Sequence, residues 1–151
     1  MGIYTVKIRW KNLSAVLSLA AAFALCLIGG QMETQAIPTA GTEQTQSELI
    51  AYLEGLGWEV SGAPTLELVA LPETFGSEYQ EYLALQEEGG FDLAAYAGRS
   101  VTRYSYPISN YPSGEEGVMA DLLVLDGQII GGEIRSASLN GFMTALTARG
   151  A

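Results

Sequence analysis

Apolar positions along this chain fall into stripes, and the clearest runs from Val118 to Ile134. It reads V-M-A-D-L-L-V-L, then Asp126-Gly127, then Q-I-I-G-G-E-I. Asp-Gly between two apolar runs signals a two-residue hairpin, because a type I′ turn needs positive φ at both central residues. That turn pairs Leu125 with Gln128, Val124 with Ile129 and Leu123 with Ile130. Leu123, Leu125 and Ile130 then share one face, and Leu122, Val124 and Ile129 the other. A strand apolar on both faces is covered on both or lies centrally in its sheet. The remaining elements are therefore expected to pack around this hairpin.

Helical period appears upstream. Thr45-Gln46-Ser47-Glu48 has the capping-box form. Leu49, Ile50, Leu53 and Leu56 follow as a stripe, so the first helix is predicted over about Gln46 to Gly55, stopped by Gly55 and Gly57. Trp58-Glu59-Val60 opens an extended stretch that resumes at Thr65 to Leu71, with Leu66, Leu68 and Ala70 on one face. Phe75, Tyr79, Tyr82, Leu83 and Gln86 recur at three and four, which predicts a second helix over Glu73 to Glu88 with Glu78, Glu81, Glu87 and Glu88 on its wet side. Phe91, Leu93 and Tyr96 form an apolar knot expected to dock on the core. Thr102, Tyr104, Tyr106 and Ile108 alternate with Val101, Arg103 and Ser105, the mark of a strand. After a turn-rich stretch and the hairpin, Leu139, Phe142, Met143 and Leu146 predict a last helix over Ser138 to Thr147. The order α-β-α-β-β-β-α, without a βαβ rhythm, argues for an α+β fold. Helices packed on one face of a small antiparallel sheet would be the economical arrangement.

The front end is an address. Lys7, Arg9 and Lys11 precede a charge-free run from Leu13 to Ile28, the layout of a secretory signal. Thr34-Gln35-Ala36 places small residues before a possible cut ahead of Ile37. The interval from Asn12 to Met32 also reaches the about 20 residues that span a bilayer as a helix, with its flanking charges placing the C-terminus outside. Cys26 follows Leu25, a poor fit to a lipoprotein site, and reads as a small apolar residue of the run. Residues 1–36 are thus a signal peptide or membrane anchor with a short linker, and 37–151 a single extracytoplasmic domain. Both alternatives face outward.

Charge and composition remove much chemistry. The 151 residues hold no histidine and one cysteine. That excludes a Ser-His-Asp triad, a Cys-His pair, a His-ligated zinc site and an internal disulfide. All seventeen acids come after residue 32. From Ile37 onward sixteen acids face four arginines, a net of −12. Such a surface repels nucleic acid and anionic lipid.

Gly57-Trp58-Glu59-Val60, Gly90-Phe91-Asp92-Leu93 with Tyr96, Tyr111-Pro112, Asp126-Gly127 with Ile130-Gly131-Gly132, and the L-N-G-F-M of Leu139 to Met143 occur in this order. With the front anchor, this set resembles a family of exported proteins of Gram-positive bacteria, domain of unknown function 4830, over about Glu48 to Leu146. The resemblance implies a domain outline and an extracytoplasmic setting. It implies no activity, cofactor or catalytic residue.

Carboxylates are the abundant acid/base groups. The simple hairpin register sets Asp121 opposite Gly132 and Glu133 opposite Ala120, which points the two acids to opposite faces. That is poor geometry for a glycosidase pair, and an adjacent Arg135 or Arg103 would make either acid structural. Glu115-Glu116 or Glu87-Glu88 offers oxygen ligands to calcium, but neither has the spacing of an established calcium loop. Tyr104, Tyr106 and Tyr111, with Arg103 on the strand's other face, are the candidate ligand-binding residues, since such tyrosines make either a platform for sugar or peptide or a cover for the core. Gly131-Gly132 opens no helix, so it is no phosphate cradle; a bulge or close packing under the last helix explains it better. The expected function is therefore a non-enzymatic domain that binds a protein or cell-envelope component, with no cofactor and no bound metal. The alternatives are a carboxylate-dependent hydrolase of cell-wall glycans and a calcium-stabilised module.

Overall fold

The structure is a computed structural model that describes residues 39–138 and 141–148. The expected leader at 1–36, with Cys26, and Leu139, Asn140 and Arg149 lie outside the described residues. Helix α1 spans Thr39–Gly55 and helix α2 spans Gln80–Glu88. Strands are β1 Thr65–Ala70, β2 Ser100–Pro107, β3 Val118–Leu125, β4 Gln128–Ser136 and β5 Met143–Ala145. All neighbouring strands are antiparallel, in the order β1-β2-β3-β4-β5. The architecture is α+β: one small open sheet with two helices.

The hairpin between β3 and β4 is where its sequence placed it. Asp126 has φ 50° and Gly127 φ 81°, the pair of left-handed residues that a type I′ turn demands. Beyond Val124 and Ile129 the expected register fails. Leu123 pairs with Gly131 instead of Ile130, so β4 carries one extra residue in a β-bulge. Every later residue of β4 consequently changes face.

Both faces of the sheet are covered, which corrects the expectation of helices on one face. Leu49 and Leu53 of α1 pack with Trp58, Tyr104, Tyr106, Ile108, Ala120, Leu122, Ile134 and Leu146 on one side. On the other, Tyr82 and Leu83 of α2 and Leu93 of a 3-10 turn (Leu93–Tyr96) cover Val101, Leu123 and Ile130. The apolar character of β3 on both faces demanded this, and β3 is indeed the central strand. Trp58, 1 % exposed, anchors the α1 side and donates its indole N–H to the Leu146 carbonyl at 2.8 Å.

Three further differences are local. The second helix begins at Gln80, behind a 3-10 turn at Ser77–Tyr79, and not at Glu73. The first helix begins earlier than expected, at Thr39. The last element is a strand: Met143–Ala145 pairs with Glu133–Arg135. Its helical spacing was an accident of a three-residue strand, in which Phe142 and Leu146 flank the pairing and both join the α1-side core.

Candidate functional site

The bulge in β4 assembles the most unusual chemistry of the molecule. With one residue extruded, Asp121 and Glu133 become direct cross-strand partners. They share the α2 face, where the unbulged register would have set them on opposite faces. Residues directly opposite in an antiparallel pair have Cβ atoms about 4.5–5.5 Å apart. Gly131 and Gly132 make the close approach possible. A Cβ on Gly132 would sit 2.5 Å from Leu146 Cδ1 and 2.6 Å from the Asp121 carbonyl, and one on Gly131 would sit 2.9 Å from Gln86 Oε1. The glycine pair is therefore bulge and close packing, with Gly132 against Leu146 beyond β5 and Gly131 against Gln86 of α2, and not under the last helix the sequence predicted.

Both carboxylates are sealed: Asp121 is 0 % and Glu133 3 % exposed. Helix α2 provides the cover. Tyr82 donates its hydroxyl to Glu133 Oε2 at 3.1 Å, and Gln86 Nε2 donates to the same oxygen at 3.0 Å. Gln86 also accepts the Gly132 amide on Oε1 at 2.8 Å, so one side chain bridges helix and bulge. Arg135 Nε donates to Asp121 Oδ2 at 2.5 Å, while Asp121 Oδ1 has no hydrogen-bond partner. Arg103, half-buried, pairs with Glu67 on β1.

Electrostatics follow from burial. Loss of water and the charge of Asp121 push the Glu133 carboxyl up from 4.5 to about 7, against the donors Gln86 and Tyr82 and the nearby Arg103. Burial, and then Glu133 itself, hold the Tyr82 hydroxyl well above its ordinary range. Burial opposes the charge of Arg103, but Asp121, Glu67 and Glu133 outweigh it and favour the cation. An acid raised towards neutrality beside a second carboxyl group is the pattern of an acid/base pair. Here, however, no substrate reaches it, because Tyr82 and Gln86 occupy the space above. The pair fastens α2 to the sheet.

The tyrosine candidates are placed otherwise than a platform requires. Tyr104 and Tyr106 are 8 % and 0 % exposed and belong to the α1-side core. Tyr111 is half-buried and its ring stacks on Phe142 (4.6 Å, 21°) and Trp58 (6.2 Å, 13°). Of the calcium candidates, Glu115 accepts hydrogen bonds from Ser136 and Ser138. Among the described residues, no three His, Cys, Asp or Glu side chains converge as a metal site. No described helix is long and apolar enough to cross a membrane.

Reading the sequence missed two features. Gln86 was visible as a polar residue within the apolar stripe of α2, the mark of a buried polar group needing partners. The second is the outer rim of the sheet. Strand β1 pairs only with β2 among the described residues, and Leu66 and Leu68 stand 41 % and 75 % exposed on it.

Fold and site thus define a small α+β domain with a sealed acid pair and, among the described residues, an edge strand, β1, that exposes two leucines. The chain matches no protein-family model, no curated protein and no solved structure.

Proposed function

We propose that this chain is a non-enzymatic extracytoplasmic domain that binds a protein or cell-envelope component. Its N-terminal segment exports it and either remains as a membrane anchor or is cut away. One observation supports the binding reading above the rest: among the described residues, β1 offers unpaired backbone beside two exposed leucines. Native proteins commonly blunt such an edge with charged side chains, proline or a bulge, and β1 (T-L-E-L-V-A) carries a single charge, Glu67, already paired with Arg103, and neither of the other two. Added strands are bound in this manner elsewhere, with backbone hydrogen bonds supplying affinity.

The test places a photo-crosslinking amino acid at Leu68 of the full chain in cells, with Glu87 on the exposed side of α2 as control. Adducts at Leu68 that are absent at Glu87 support the reading. Equal labelling at the two sites, or none at either, overturns it.

A second reading, a carboxylate-dependent hydrolase of cell-wall glycans, draws on the pairing of Asp121 with Glu133 on one face. It requires α2 to lift, since Tyr82 and Gln86 close the pair. Glycan hydrolysis by the full chain that disappears in Glu133→Gln, with folding intact, would establish it.

A further inference from the structure

We infer that Asp121 and Glu133 share one proton, and that this proton fastens α2 to the sheet in acid and releases it as the medium turns neutral. Lone pairs and donors decide where the proton sits. Tyr82 and Gln86 both donate to Glu133 Oε2, and two donors fill the acceptor sites of one carboxyl oxygen. A proton on Glu133 therefore sits on Oε1. Across the ladder, Asp121 is fully buried, and its Oδ1 finds no hydrogen-bond partner among the described residues. Arg135 is committed to the other oxygen, Oδ2. Ser105, opposite Asp121 on β2, leaves Oδ1 unmet. Buried acceptors are nearly always satisfied. The two acids are direct cross-strand partners, with Cβ atoms about 4.5–5.5 Å apart. The acid hydroxyl of Glu133 is thus the donor that Asp121 Oδ1 requires, and an O–H given to a carboxylate is a strong form of the bond.

The surrounding charges leave Glu133 no cation of its own. Arg135 of β4 pairs with Asp121, and Arg103 of β2 pairs with Glu67 of β1. Helix α2 brings the neutral donors Tyr82 and Gln86. The 3-10 turn brings Leu93 and Tyr96, and β5 pairs through Ala145, none of them a cation. Without the proton, two carboxylates face each other in a sealed space with their repulsion unrelieved. Helix α2 is the cover that yields. Its side-chain ties to the sheet all meet at Glu133 or at the Gly132 amide of the bulge, and the apolar cluster beneath it is the smaller of the two. Strands β3 and β4, by contrast, are each held between two neighbours. Burial and Asp121 raise the Glu133 carboxyl from 4.5 to about 7, whereas lifting α2 returns it to water. Closing therefore takes up a proton between those values. The closed form has its full advantage in acid and has lost it by about pH 7.

Proton and helix are read separately. In the full chain at about pH 5, where Glu133 holds its proton, a proton NMR resonance far downfield of the amides is expected, and it should vanish in Glu133→Gln. Native-state hydrogen exchange follows α2. Corrected for intrinsic rates, protection of the Leu85, Gln86 and Gly89 amides should fall on the order of a hundredfold from about pH 5 to about pH 8. That exchange should be insensitive to low urea, the mark of an opening that exposes little surface. The β2–β3 ladder should exchange only by the urea-sensitive route of global unfolding. Glu133→Gln should keep α2 protection level across the same range, and the measurements on the unsubstituted chain stand alone should the variant not fold. Absence of the resonance in acid, or its survival in Glu133→Gln, would mean that something other than a shared proton meets Asp121 Oδ1, and the proposal falls. It falls equally if α2 protection in the unsubstituted chain is level with pH, if it is lost only together with the ladder, or if the pH response survives in Glu133→Gln.

Discussion

Replacing Glu133 with glutamine is expected to stabilise the protein at alkaline pH and leave it little changed in acid. The ordinary carboxyl value of 4.5 is raised to about 7 by folding, chiefly through burial and then through Asp121. Between those values the native protein holds a proton that the unfolded chain has released. Stability therefore falls as pH rises through that window, and above it the loss is complete. At about 1.36 kcal/mol for each unit, the whole shift amounts to about 3 kcal/mol. Glu133→Gln keeps an oxygen for Tyr82 and Gln86 and offers Asp121 an amide donor in place of a charge. Urea denaturation of both proteins between about pH 4.5 and about pH 8 measures the difference. The curves should converge at the acid end and separate by about 3 kcal/mol, with the variant higher, at the alkaline end. Parallel curves would refute the reasoning, because they would mean that Glu133 does not change its proton affinity on folding.

Arg135→Met leaves Asp121, 0 % exposed, without its ion-pair partner. A cost of about 3 kcal/mol or more is expected, and Asp121→Asn in the same chain should recover most of it in denaturant titrations. Gly132→Ala forces a Cβ to 2.5 Å from Leu146 Cδ1, so a loss of about 1–3 kcal/mol is expected. Gly55→Ala, with nothing within 4 Å, should instead raise the melting temperature. Trp58→Phe leaves the Leu146 carbonyl without its indole donor, a cost of about 1–3 kcal/mol in urea unfolding.

The legible parts of this fold were those written in local chemistry. Asp126-Gly127 specified its turn, and Gly57 and Gly90 the chain's exit from the two helices, because each rests on backbone conformation within a few residues. The doubly apolar run of β3 foretold its central place. The register beyond Val124 was not legible. Ile129 and Ile130 are both apolar, so the extruded residue leaves no break in the pattern, and only burial of Ile134 against α1 and Glu133 against α2 distinguishes the two pairings. The acid pair was hidden for the same reason. β5 was misread because three residues are too few to display alternation. The exposure of Leu66 and Leu68 depends on how far α1 reaches across the sheet, which no local pattern encodes.

The sheet's connections are very unequal in length, and this has a consequence for how the chain assembles. Two residues join β3 to β4 and ten join β2 to β3, but twenty-nine separate β1 from β2. Closing short loops sacrifices less chain freedom than closing long ones, so β2, β3 and β4 should zip together before β1 arrives. The intervening segment contains α2, which makes rim strand and covering helix late arrivals on a preformed three-stranded platform. During synthesis, a ribosome would release the outermost strand well before the partner that must receive it, and the nascent β1 would wait, greasy and unpaired, for the rest of the protein to emerge.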